Sequence, residues 1–125
     1  MSDSLLRRAI RLDATGVGLL GLGAAVFAGP LAHLTGLTTA QCRLTAGAFL
    51  FYGVVGNLLA RRPRVVGIGM VLSAFNFIGT VGALALVTSA ALPLTNAGKA
   101  VVLACGAYTL VFGVVQFLGV RRAKG

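Results

Sequence analysis

Four long apolar stretches, separated by short polar or basic interruptions, set the pattern of this chain. The first uncharged run extends from Ala14 to Leu34, 21 residues. As helix it covers about 31 Å, matching a bilayer core of about 30 Å, and so predicts one membrane crossing. Gly29-Pro30 falls in its last third and predicts a kink or an early end there, because proline lacks the backbone donor and its ring strikes the preceding turn. Thr35 to Thr39 then reads as a tight turn, with Gly36 closing the first helix and Thr38 or Thr39 capping the next. The second helix is expected at about 40–60, stopped by Arg61-Arg62-Pro63-Arg64, and the third at about 65–87. A longer loop containing Pro93 leads to the fourth helix, at about 97–120, which closes on Arg121, Arg122 and Lys124. Short connections make sequential helices antiparallel neighbours. The expected fold is therefore an all-α membrane protein, one domain over 1–125, arranged as an up-down-up-down bundle of four transmembrane helices.

Ahead of the first span lies a basic segment, 1–13. Leu5, Leu6, Ala9 and Ile10 share one helical face and Arg7, Arg8 and Arg11 another, a spacing that suits either a helix lying on the membrane surface or a solvated tail. Arginines followed by an apolar run ending in Val26-Phe27-Ala28 also have the layout of a secretory signal. The run continues to Leu34, long enough to span, so a retained helix is expected.

Composition agrees with this pattern: 58% of residues are apolar and 10% charged, far from the balance of a water-soluble globule. The net charge of +9 raises the question of nucleic acid. The basic residues punctuate long uncharged runs instead of covering a folded face, so no nucleic-acid partner is expected. Of the 11 lysines and arginines, nine flank one side of the spans: Arg7, Arg8, Arg11, Arg61, Arg62, Arg64, Arg121, Arg122 and Lys124. Only Arg43 and Lys99 flank the other. Cytoplasmic flanks carry the positive excess, which places both termini and the middle loop inside a bacterial cytoplasmic membrane. Anionic lipid is the partner such a face attracts.

Candidate chemistry is sparse. Asp13 is read as lying at the cytoplasmic mouth of the first span, where it would favour the helix dipole and pair with Arg61, Arg62, Arg64 or Arg121. On that reading no span holds an acid at mid-depth, which disfavours ion-coupled transport. Asn76 lies near the middle of the third helix and must bond across helices; Asn57 and Gln116 lie in the cytoplasmic third, within reach of each other or of Asp13. These four form a candidate intrabundle polar group, either as structural glue or as a ligand site. His33, Arg43 and Lys99 fall at the outer interface. A single histidine offers no axial pair for a haem, and the two cations read as snorkelling anchors. Cys42 and Cys105 lack C-x-x-C spacing and sit at different depths, so free thiols are expected. No catalytic or metal-binding constellation and no cofactor is expected.

Several elements in order carry a family resemblance: Arg11-Leu12-Asp13-Ala14, Gly29-Pro30-Leu31, Gly36-Leu37, and Arg43 with Gly47-Ala48-Phe49-Leu50. Ala60-Arg61-Arg62-Pro63-Arg64, Asn76, Leu94-Thr95 with Gly98, and Gln116 before Arg121-Arg122 follow. In these the chain resembles small, uncharacterised four-helix integral membrane proteins of actinobacteria. That family places an aromatic residue, often tryptophan, shortly after the position of Asn76, where this chain has Phe77 and departs from the pattern in having no tryptophan. The resemblance implies a fold and a membrane, and no activity. Two functions are expected to compete. One is a non-enzymatic protein acting through helix contacts, as an accessory subunit of another membrane protein or as a homo-oligomer. The other is a binder or transporter of lipid or a hydrophobic solute.

Overall fold

A computed structural model describes residues 3–89 and 91–124 as five helices: α1 (Ser4–Val26), α2 (Ala28–Thr35), α3 (Thr39–Leu59), α4 (Val66–Thr88) and α5 (Asn96–Lys124). Of these, α1, α3, α4 and α5 are long and apolar enough to cross a membrane. The molecule is thus an all-helical bundle of four spans, with α2 extending the first.

Helix α1 begins ten residues ahead of the uncharged run. The apolar face of the basic segment is neither a surface helix nor a tail: Leu6 and Ile10 are fully buried and form a core with Ala60, Val65, Leu72 and Val120. Burying that face outweighs the nearby arginines, because Arg8 and Arg11 turn outward and stay exposed. The interruption expected at Gly29-Pro30 falls at Phe27, with φ −108° and ψ 30°. A proline ring meets the carbonyl four residues back, here that of Val26, and Val26 is the last residue of α1.

Gly36 closes α2 in the left-handed conformation at φ 83°. Thr38 caps α3 through a reciprocal pair of bonds with Gln41: Thr38 Oγ1 accepts from the Gln41 amide at 3.0 Å, and Gln41 Oε1 accepts from the Thr38 amide at 2.9 Å. Thr95 ties the α4–α5 loop to this turn, donating from its amide to the Thr35 carbonyl at 3.0 Å and from its hydroxyl to the Leu34 carbonyl at 2.5 Å.

The bundle distributes residues in the reverse of a soluble protein. Leu19, Leu44, Phe51, Val54, Phe75, Ile78, Val81 and Val111 are each more than half exposed, while the buried set is rich in glycine, alanine and polar side chains. Large apolar groups face hydrocarbon, and small residues let backbones approach. Between α1 and α3, a Cβ on Gly53 would stand 2.7 Å from Gly18 Cα and 2.9 Å from the Ala14 carbonyl oxygen. Helix α1 packs along α3, α4 along α5, and α1 against α5. Helices α3 and α4, although consecutive, make almost no close backbone approach to each other. The short 60–65 connection joins them without making them packed neighbours, because their small-residue faces turn to α1 and α5 instead.

Candidate functional site

The buried positions of α1 include Leu6, Ala9, Ile10, Asp13 and Ala14, spaced as one helical stripe, so the fold itself carries Asp13 into the core. In α4 the positions Gly69, Leu72, Ser73 and Asn76 form the matching stripe, and in α5 Gly113, Gln116 and Val120 do the same. All four spans meet at the Asp13 carboxylate, which is 0% exposed. Its Oδ2 accepts from Tyr52 Oη at 2.5 Å, Gln116 Nε2 at 2.9 Å and Asn76 Nδ2 at 3.1 Å. Asn76 Nδ2 also lies 2.8 Å from Gln116 Oε1 and 3.1 Å from the Leu72 carbonyl, so its two hydrogens are shared among three acceptors. Tyr108 Oη donates to the main-chain carbonyl of Asp13 at 2.9 Å, in space that Gly16 leaves by lacking a Cβ. Asp13 Oδ1 is buried and has no hydrogen-bond partner among the described residues.

Two further links hold α4 to α5 on either side of this centre. Ser73 Oγ donates to the Gly113 carbonyl at 2.8 Å, and the hydroxyls of Thr80 and Thr109 lie 2.8 Å apart. Residues 73, 76 and 80 repeat at helical spacing, forming a polar seam inside the apolar bundle.

The geometry revises the expected group. Asp13, Asn76 and Gln116 are brought together; Asn57 is not. It donates to the Gly53 carbonyl at 2.8 Å and lies 3.4 Å from Thr15 Oγ1, at the α1 flank. Five residues separate it from Tyr52, about 140° around the helix, so only one of the two can face the carboxylate. The expected pairing of Asp13 with Arg61, Arg62, Arg64 or Arg121 does not form. Those arginines are exposed at the end of the bundle, and the ion pair among the described residues is Asp3–Arg7, at 2.7 Å. Arg7 Nη1 also donates to the carbonyls of Ala60 and Arg62, at 2.6 and 2.7 Å, fixing the level at which α3 ends. Asp13 lies six residues further along α1, about 9 Å deeper. It is therefore an acid within a span, and the argument against ion coupling loses its premise. The two tyrosines were the missed signal. The chain has only two, both inside spans, where a phenol needs a partner, and both bond to Asp13.

At the far end His33, Arg43 and Lys99 are exposed near helix termini. Cys42 and Cys105 are free thiols. No group of three or more His, Cys, Asp or Glu that could hold a metal ion occurs among the described residues. Two grooves open at the arginine-rich end: one between α1 and α5, lined by Leu5, Leu118, Arg121 and Arg122, and one between α3 and α4, lined by Leu59, Gly67, Ile68, Val71 and Leu72. Comparison with family models, curated proteins and solved structures gives no match.

Proposed function

We propose that this is a non-enzymatic multi-pass membrane protein that binds anionic lipid at its arginine-rich end, which the excess of flanking cations places on the cytoplasmic side. The observation that carries this reading is the pairing of apolar groove with exposed arginine at two places. The α1–α5 groove has Leu5 and Leu118 beside Arg121 and Arg122. The α3–α4 groove is wholly apolar in its lining, and the connection between its walls carries the exposed Arg61, Arg62 and Arg64. An acyl chain fits the first chemistry and a phosphate headgroup the second, since arginine presents a fork of donors to phosphate oxygens. Each cation near an anionic leaflet contributes about 1 kcal/mol.

Native mass spectrometry of protein released from nanodiscs containing phosphatidylglycerol and phosphatidylcholine tests the reading. Retained phosphatidylglycerol is expected, with much less retained after Arg61, Arg62 and Arg64 are changed together to Gln. Equal retention of both lipids by both proteins would overturn it.

A second reading, contact with another membrane protein or with a further copy of this chain, draws support from the parted α3 and α4. Their facing sides leave an apolar seam that a helix can fill. Blue-native electrophoresis from native membranes that found only free monomer would remove this reading and leave the first standing.

A further inference from the structure

Resting on the reading that the arginine-rich end takes anionic lipid, we propose that the parting of α3 and α4 is a site for one lipid whose headgroup is a phosphate monoester. Its acyl chain lies between the two helices and its phosphate on Arg61, Arg62 and Arg64. Three observations combine. First, α1 and α5 pack directly, so a chain in their groove can only lie along the surface, whereas α3 and α4 part and let a chain enter between them. The α3–α4 groove, lined by Leu59, Gly67, Ile68, Val71 and Leu72, has a volume of about 250 Å³. An apolar void of about 150 Å³ already holds a benzene. A Cβ on Gly67 would meet no atom within 4 Å, so the wall is open beside the arginines. Second, those arginines are exposed and uncompensated. Arg61 closely follows Leu59 and Arg64 closely precedes Gly67 in the chain, while Asp3 is paired with Arg7 and Asp13 is buried at the centre of the bundle. Third, the turn that carries them is fixed before anything binds. The amides of Arg61 and Arg62 donate to the carbonyls of Leu58 and Leu59, both at 3.1 Å, and Arg7 donates to the carbonyls of Ala60, Arg62 and Pro63 at 2.6, 2.7 and 3.4 Å. A pre-ordered turn lowers the entropic cost of binding.

Headgroup chemistry follows from the cluster of cations. A phosphate diester carries a single negative charge, whereas a monoester carries about −1.5 to −2 at neutral pH and presents three acceptor oxygens, enough to meet the forks of two arginines together. Three cations with no acid beside them therefore favour the monoester. A second copy of this chain in the same orientation suits the place poorly, because it would set the same three arginines against these.

The test is native mass spectrometry of the full chain released at neutral pH from phosphatidylcholine nanodiscs that hold equal amounts of phosphatidic acid and phosphatidylglycerol. Phosphatidic acid is expected to be retained about fivefold over phosphatidylglycerol, the effect of one further charge near the arginines. Gly67→Leu fills the groove without touching an arginine, and is expected to lower retained phosphatidic acid about tenfold, as the loss of two buried methylene groups would. Val71→Phe, on the same exposed wall, is expected to act alike and serves if Gly67→Leu fails to fold. Gly47→Leu, at a position equally open to a Cβ but in the far half of α3, is expected to leave retention unchanged. Equal retention of the two anionic lipids, lost from both when Arg61, Arg62 and Arg64 become Gln, would overturn the monoester site and leave anionic-lipid binding standing. Retention of neither above phosphatidylcholine would overturn both. Retention that folded Gly67→Leu and Val71→Phe leave unchanged, or a bound protein chain in place of lipid, would take the acyl chain out of the seam and the proposal with it.

Discussion

The two ends of the bundle are held together by different means. At the arginine-rich half, side chains from three helices converge on the Asp13 carboxylate of the fourth, and Arg7 caps the end of α3. At the far half the links are mostly main-chain: Thr95 bonds to the carbonyls of Leu34 and Thr35, and Gly36 and Gly98 lie where any Cβ would strike the carbonyls of Pro93 and Thr35. A main-chain clasp fixes distance and has nothing to titrate. A side-chain centre instead depends on the identity of each residue in it, so single substitutions bear hardest on the half that holds Asp13.

The sharpest way to break this contrast is to remove the acceptor. Asp13→Leu leaves the Tyr52 hydroxyl and the Gln116 amide without a partner, each costing about 1 kcal/mol, while Asn76 keeps its bonds to Gln116 and Leu72, so a loss of about 2 kcal/mol is expected. Thermal unfolding in detergent measures it. Asp13→Asn keeps a carbonyl oxygen for the same donors and is expected to lose less than half as much. If Asn proved as damaging as Leu, the charge and not the acceptor would be holding the centre.

At the far end Gly36→Ala is expected to cost about 2 kcal/mol, from the left-handed backbone and from the approach of Pro93. Its effect should be the same at every pH, because nothing in the main-chain clasp titrates. A pH-dependent cost for Gly36→Ala would show the two halves to be coupled more tightly than the contact pattern implies.

Much of this frame was legible in the residues. Four apolar runs, each with arginines at one end, defined the spans, and Gly36 and the pair Thr38-Thr39 marked a helix end and a helix start because each has a local physical role. The start of α1 was not legible from charge alone. Arg8 and Arg11 look like the edge of the membrane until the stripe Leu6, Ile10, Asp13 is seen to be buried, with the arginines on its outer side. The partners of Asp13 depend on which way four helices are rotated, and periodicity could not choose between Tyr52 and Asn57. Nor could loop length show that α3 and α4 part, since a short loop fixes direction and leaves packing to the faces the helices carry.

Arg7 offers a smaller test of the basic end. Its guanidinium supplies donors to the carbonyls of Ala60, the C-cap of α3, and of Arg62 just beyond it. Arg7→Gln is expected to cost about 1 kcal/mol and to shorten the protection of the last turn of α3 in amide exchange. Unchanged protection from 57 to 60 would assign the carbonyls to solvent instead.

The smallest effect belongs to Asp3, and its sign can be worked out. Its bond to Arg7 holds the carboxyl below its ordinary value of 3.8. A group whose value is lower in the folded state adds stability that is fully present above the unfolded value and is lost as pH falls through the folded one. At neutral pH the pair is therefore complete, yet it lies at the water-facing edge, where an ion pair contributes little. Arg7 also keeps its bonds to Ala60 and Arg62 whether or not Asp3 is charged. Asp3→Asn is thus expected to melt close to wild type at neutral pH, well above Asp13→Asn, and to differ from wild type least in strong acid. Paired melting curves of the two variants, at neutral pH and near pH 3, compare the two acids directly. If Asp3→Asn lost as much as Asp13→Asn, the edge of the bundle would be as decisive as its centre, and the contrast between a side-chain centre and a passive periphery would fail.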